Sequence, residues 1–228
     1  MRFCFGCLAF LLCAGVPFEV PGQTNQPSLA LQETAPGVFQ IGKVRLNKPE
    51  RTVSIPVVVN MSTGVVEYLL VHKNGKTHES VFRTDAEPYH IHVATLLLGV
   101  QGRGTNSFPA DKKQPPPGDP ALMTISWTNN SQRVSLRAEQ LIIERTTTKA
   151  MPEVNWIYNG SLVDADGFAA QQTGSIVSLI DDPDALLNNP LPQRDDDENW
   201  LVAGEILKNI HGPAELVLSF SNAENRRR

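Results

Sequence analysis

Apolar, β-branched and aromatic residues recur along this chain in short runs separated by Gly, Pro and Asn, beginning near Val38. Residues 38–44, 53–59, 65–71 and 76–82 are four such runs. Each predicts a strand, because branched and ring side chains fit a pleated, half-buried surface. Residues 121–127, 133–143, 155–163, 175–180 and 215–220 extend the series, with a strand followed by a short helix as the alternative within 133–143 and Asn129-Asn130-Ser131 as a turn. Between the third and fourth runs, Lys73-Asn74-Gly75-Lys76 carries the Asn-Gly signature of a two-residue hairpin. That turn would pair Val71 with His78, Leu70 with Glu79, Leu69 with Ser80, Tyr68 with Val81 and Glu67 with Phe82. Neither face of such a hairpin is cleanly polar, which predicts a central hairpin covered on both sides.

Residues 88–98 have a helical pattern, with Asp85 as the N-cap and Gly99 as the stop. The second half, 93–98, is apolar nearly all round and so is expected to be buried. Residues 101–120 are rich in Gly, Pro and Lys and read as a mobile surface loop beside this helix. The fold class expected is α+β: a mainly antiparallel β-sheet with one buried helix packed on it, in a single domain over 38–228.

The beginning of the chain changes the setting of that domain. Met1-Arg2 is followed by an apolar run over 3–18, the pattern of a signal peptide, with cleavage expected after Gly22. The run is too short for a comfortable membrane span. Cys4, Cys7 and Cys13 are the only cysteines and all fall within residues 1–22, so the mature chain is expected to have no disulfide and no thiolate ligand. Leu12 before Cys13 speaks against a lipoprotein anchor. Residues 23–37 are polar and read as a mobile leader. The expected location is therefore periplasmic or extracellular, with no transmembrane span after cleavage. The formal net charge of −4 is unchanged by removal of Arg2 and Glu19, and Arg226-Arg227-Arg228 is the one basic cluster, so nucleic acid is not an expected partner.

Four pieces of the sequence together resemble the YdjY-like family of exported bacterial proteins: Glu67-Tyr68-Leu69-Leu70-Val71, Lys76-Thr77-His78-Glu79-Ser80, Leu96-Leu97-Leu98-Gly99 and Trp156-Ile157-Tyr158-Asn159-Gly160-Ser161. The resemblance covers about residues 38–191 and implies no established activity. Some relatives are associated with ferredoxin-type iron–sulfur domains. This chain departs from them, because its mature part has no cysteine to hold a cluster, and no iron–sulfur centre is expected.

Candidate chemistry concentrates at His78, Glu79, Asp85, Glu87, His90 and His92, a window that holds three of the five histidines. The leading expectation is a binding site formed by His78, Glu79, Ser80, Glu67 and His90 for a small molecule or an envelope protein. A metal reading takes His78, His90 and His92 as ligands of a zinc-like ion, although two helical residues two apart point to different faces and only one would join His78. No cofactor is otherwise expected. A nucleophile reading takes Ser80, His78 and Glu67, but strand neighbours two apart are separated by about 6.6 Å, beyond direct hydrogen-bond reach. Glu79, opposite Leu70, needs a partner or a raised pKa, and Arg83, Lys76 and Tyr68 are within sequence reach. The acidic stretch 181–198 reads as solvated surface, with Trp200 resuming the core. The function expected is a non-catalytic binding or accessory module. The alternatives are a metal-dependent or acid/base hydrolase using His78, Glu79 and His90, and an envelope assembly or structural factor.

Overall fold

The computed structural model describes residues 29–221. The expected signal peptide with its three cysteines, the expected cut after Gly22 and the Arg226–Arg228 tail lie outside the described residues.

Strands β1 Leu31–Ala35, β2 Val38–Ile41 and β3 Val44–Asn47 form an antiparallel meander that leads into β4 Thr52–Val59. Next come β5 Tyr68–His72, β6 Ser80–Thr84 and helix α1 Pro88–Leu96. The hairpin of β7 Asp119–Asn129 and β8 Gln132–Arg137 is followed by the short strands β9 Ile142–Glu144, β10 Lys149–Ala150 and β11 Trp156–Tyr158. Then come β12 Val163–Asp164, β13 Gly167–Phe168, α2 Ala169–Thr173, β14 Ser175–Ser178 and β15 Leu187–Asn188. The last elements are β16 Trp200–Val202, α3 Gly204–Leu207 and β17 Ala214–Ser219.

Eight of these strands close on themselves in the order β4-β17-β7-β11-β15-β14-β5-β6, and β6 returns to β4 through Val58 beside Arg83 and Val59 beside Phe82. The α+β expectation of a sheet with one buried helix is therefore wrong: this is a β-barrel, with three short α-helices among the described residues. The local alternation of apolar and polar residues says that a strand exists but not which edge it meets, so closure is invisible to it. An eight-stranded bore is just wide enough to be filled by side chains. Here β4 contributes Val53, Ile55 and Val57, β17 contributes Leu216 and Leu218, and β7 contributes Met123, Ile125 and Trp127, all buried. On this arc the alternate residues Pro56, Val58, Leu122 and Thr128 face out and are exposed. Across the bore, β5 and β14 are buried along their whole lengths, so the expected two-sided covering does occur there.

The hairpin that suggested this covering does not exist. β5 and β6 run parallel, with Tyr68 beside Ser80, Leu70 beside Phe82 and His72 beside Thr84. A parallel pair ordinarily needs a crossover of about a dozen residues. Here residues 73–79 suffice, because they fold back flat against the strands. Gly75 is not needed for a positive φ; an added Cβ would meet Thr173 O at 3.0 Å and Gly174 O at 3.1 Å. Its role is a close backbone approach. The two-residue turn with both central residues at positive φ lies instead at Asn130 and Ser131, between β7 and β8, where a turn was expected.

Other boundaries shift for identifiable reasons. Pairing begins at Leu31, ahead of Val38, and the run 38–44 is split into β2 and β3 at Gly42, which takes φ +54°. Helix α1 starts after Glu87, with no side-chain cap, because Asp85 is held between Lys43 at 3.0 Å and Lys73 at 3.4 Å. Gly99 does stop it, with φ +72°. The leucine-rich half is only partly buried: Leu96 is 49% and Leu97 39% exposed. α1 follows the end of β6, packs on β3 and β4, and reaches β11 through His92 and Tyr158, so it lies across one mouth of the barrel.

The loop over 101–120 is not free. Arg194 is fully buried, and its guanidinium donates to Lys112 O at 2.7 Å, Gln114 O at 2.7 Å, Leu191 O at 3.0 Å and Asp181 Oδ1 at 3.1 Å. Lys112 also pairs with Asp181. The acidic stretch is thus half structural: Asp181 belongs to this network, whereas Asp195, Asp196, Asp197 and Glu198 are exposed and Trp200 is in the core, as expected. Removing a buried charge from such a network costs about 3–5 kcal/mol because its partners stay buried and unmet. Arg194→Met is therefore expected to lower unfolding free energy by that amount in chemical denaturation and to open 101–118 to protease. A loss below about 1 kcal/mol would contradict this role.

Candidate functional site

The crossover determines where the chemistry collects. After His72 the chain turns, with Gly75 N donating to His72 O at 2.8 Å, and a 3-10 turn at Thr77–Glu79 returns it to the start of β6. Asn60 Nδ2 donates to the carbonyls of Thr77 and Ser80, and Glu67 N donates to Glu79 O at 2.9 Å. These bonds set Glu67, Lys76 and Glu79 at one height on the outside of the barrel.

Lys76 is the hub. Its Nζ donates to Tyr68 Oη at 3.0 Å and lies 3.5 Å from Glu79 Oε1, 3.9 Å from Glu67 Oε2 and 5.0 Å from the centre of the Tyr68 ring. Tyr68 in turn donates to Asp182 Oδ2 at 2.9 Å, which joins the segment after β14 to the group. Glu79 does not lie opposite Leu70 but closes the 3-10 turn before β6, and of the three partners weighed it is Lys76 that pairs with it.

Burial, then the neighbouring Glu79 charge, raises the Glu67 carboxyl above its ordinary range. Burial and the charge of Asp182 push the Tyr68 hydroxyl up to about 12. Burial works against the Lys76 ammonium, but the Tyr68 hydroxyl and both glutamates outweigh it and hold its pKa above the usual lysine value. Nearby Asp184 is also raised, by burial and then by Asp182. At neutral pH the group therefore holds one locked ammonium and one locked phenol between carboxylates.

The other expected residues are dispersed. His78 stands at the rim, 79% exposed, with Nε2 at 3.6 Å from Glu79 Oε2. Ser80 is buried, and its Oγ donates to Phe82 O at 2.7 Å, so Ser80, His78 and Glu67 do not form a nucleophile set. The antiparallel register that would have aligned them is absent. His90 lies on the other side, at the β2–β3 turn, so close that a Cβ on Gly42 would come within 2.3 Å of its Nδ1. His92 turns to β11 instead, with Nδ1 at 2.7 Å from Tyr158 Oη and its ring 4.8 Å from Phe168. The reasoning that two helical positions two apart diverge holds, and it removes the metal set of His78, His90 and His92. Among the described residues no group of three or more His, Cys, Asp or Glu side chains is arranged to hold a metal ion. Among them, too, no helix is long and apolar enough to cross a membrane.

Asp182 was not anticipated as a member. It lies 114 residues from Tyr68, and no local pattern links the two.

The family model described as the YdjY domain matches residues 44–203. No curated protein and no solved structure matches the chain.

Two measurements test this geometry. Lys76→Met leaves Glu67 and Glu79 facing each other; with Lys76 half exposed, the cost at pH 7 is expected to be about 1 kcal/mol. The loss should shrink at pH values low enough to protonate Glu67, and a pH-independent loss would contradict a carboxyl pair. Burial depresses His92 from 6.5 to about 4. The neutral ring is therefore favoured by folding: its contribution is complete above about pH 6.5 and is lost as pH falls toward 4. NMR titration is expected to leave the His92 ring unchanged from pH 8 to 5.5, with a midpoint near 4, and a midpoint near 6.5 would contradict the buried contact with Tyr158.

Proposed function

The chain belongs to the YdjY family, and on that premise we propose that it is an exported, non-catalytic module of the cell envelope that binds a small molecule or partner protein at the Glu67–Lys76–Glu79 crossover. The observation that carries this reading is the convergence on Lys76 Nζ of Tyr68 Oη at 3.0 Å, Glu79 Oε1 at 3.5 Å and Glu67 Oε2 at 3.9 Å, a preformed cluster of mixed charge. A general acid or base works best with a pKa near the operating pH. Here Lys76 and Tyr68 are both shifted away from neutrality, Glu67 is raised toward it, and the Ser80 hydroxyl is buried and bonded to Phe82 O. A rigid display of ammonium, carboxylates and an exposed imidazole suits electrostatic recognition, in which complementary charge selects the partner. The hydrolase alternative, which needed His78, Glu79 and His90 together, loses His90, whose ring packs against Gly42 at the β2–β3 turn. Export rests on the basic start and apolar run of the first residues.

A photo-crosslinking residue at position 78, in cells that express the protein, is expected to give one discrete adduct. That adduct should disappear when Glu67→Gln, Lys76→Met and Glu79→Gln are combined in a variant shown to be folded. The same probe at exposed Lys149 should not give it. An adduct indifferent to the triple substitution would sink the site. N-terminal sequencing of protein recovered from the envelope fraction is expected to begin at Gln23, and an intact Met1 in the cytoplasm would refute export.

A further inference from the structure

The outward face of β4, β17 and β7 bears a two-lobed groove that lies apart from the crossover site. One lobe, about 270 Å³, is lined by Lys43, Pro56, Val58, Arg83, Asp85 and Pro213. The other, about 330 Å³, shares Pro56 and Pro213 and extends to Thr128, Arg133 and Glu215.

The floor is apolar by construction. At Pro56 the free edge of β4 passes from β3, whose last pairing is at Ser54, to β6, whose first is at Val58. A backbone amide and carbonyl would ordinarily be bare at such a gap. Pro56 has no N–H, and its carbonyl accepts from Thr84 Oγ1 at 2.6 Å, an oxygen that in turn accepts from Ala86 N at 3.0 Å. What faces the groove is the Pro56 ring, the 38% exposed Val58 and Pro213.

The walls are charged at one end only. Asp85 is claimed by both Lys43 and Lys73; the hydrogen bond from Lys43, then the charges of both lysines, hold its carboxyl below the usual range. Arg83, exposed on the same rim, has no carboxylate partner among the described residues. Among the lining residues two cations, Lys43 and Arg83, stand against the one carboxylate of Asp85 and leave that end positive on a chain of formal net charge −4. At the other end Arg133 is neutralised by Glu215 at 3.1 Å.

We propose that this groove binds a free single-chain amphiphile with a carboxylate head. The head lies at Arg83 and Lys43, and the apolar body runs over Pro56, Val58 and Pro213 toward the neutral lobe. Charge complementarity selects the head, and the apolar floor excludes a wholly polar anion. The site is distinct from the Glu67–Lys76–Glu79 cluster, none of whose residues lines it.

The probe is decanoate, kept below its micelle threshold and titrated into the isotope-labelled protein. Saturable chemical-shift changes are expected at Val57, Val58, Arg83, Thr84 and Ala214. Arg83→Glu, at an exposed position, should weaken binding at least tenfold, and Val58→Asp should do the same through the floor. Decanol and decyltrimethylammonium should bind at least tenfold more weakly than decanoate, and Lys76→Met should leave binding unchanged. The proposal is overturned by an absence of saturable shifts, by shifts confined to the exposed Leu96 and Leu97, by equal binding of decanol, or by affinity that survives Arg83→Glu. Binding only to anionic vesicles, with none to dissolved decanoate, would also overturn it.

Discussion

The structure depends on one short return. Residues 73–79 must carry the chain from the end of β5 back to the start of a parallel β6, and seven residues leave no slack for a helix or a loose loop. The segment therefore lies against the strands that it joins, and this contact demands Gly75 against Gly174, backbone to backbone. Parallel entry also leaves the other edge of β6 free to meet β4, the pairing that closes the ring. Barrel closure and the charged site are two consequences of the same seven residues.

The two halves of the wall have different physics. The arc of β4, β17 and β7 keeps its apolar side chains on the bore side, and Pro56, Val58, Leu122 and Thr128 are exposed on the other, where Ser54 and Ser126 are covered. The arc of β5, β14 and β15 is buried on both faces, so every polar group brought under its cover needs a partner. Arg194 meets four carbonyl or carboxylate groups at distances of 2.7–3.1 Å, Asn188 Nδ2 donates to Asn159 Oδ1, and Tyr68 bridges Lys76 and Asp182. Glu139, fully buried within the 3-10 turn 138–141, accepts from Arg137 and the Trp156 indole N–H in the same way. The crossover cluster is the outermost part of this covered arc, and the groove over Pro56 belongs to the bare one.

Much of this was readable from the chain, and the failures share one cause. Strand-forming runs at 53–59, 121–127 and 215–220 became β4, β7 and β17, because long alternating segments state their own class. Gly99 and Asn130-Ser131 acted as punctuation through positive φ, as their chemistry suggests. Asn74-Gly75 misled, because the same glycine serves either a left-handed turn or a close approach, and only the distant Thr173-Gly174 decides between them. Glu79 and Lys76 were legible as neighbours in sequence, whereas Asp182 was not, and the histidines near one another in sequence were carried to different surfaces by a helix and a crossover. What was lost in each case was long-range pairing, which single-chain patterns do not encode.

Interstrand backbone NOEs in a deuterated, amide-labelled sample test the central claim directly. A parallel β5–β6 pair predicts cross-peaks that link Tyr68 with Ser80, Leu70 with Phe82 and His72 with Thr84, together with Val59 to Phe82 across the closing seam. Cross-peaks between Val71 and His78 and between Leu70 and Glu79 would instead establish an antiparallel hairpin, and both the closed barrel and the Glu67–Lys76–Glu79 site would be lost with it.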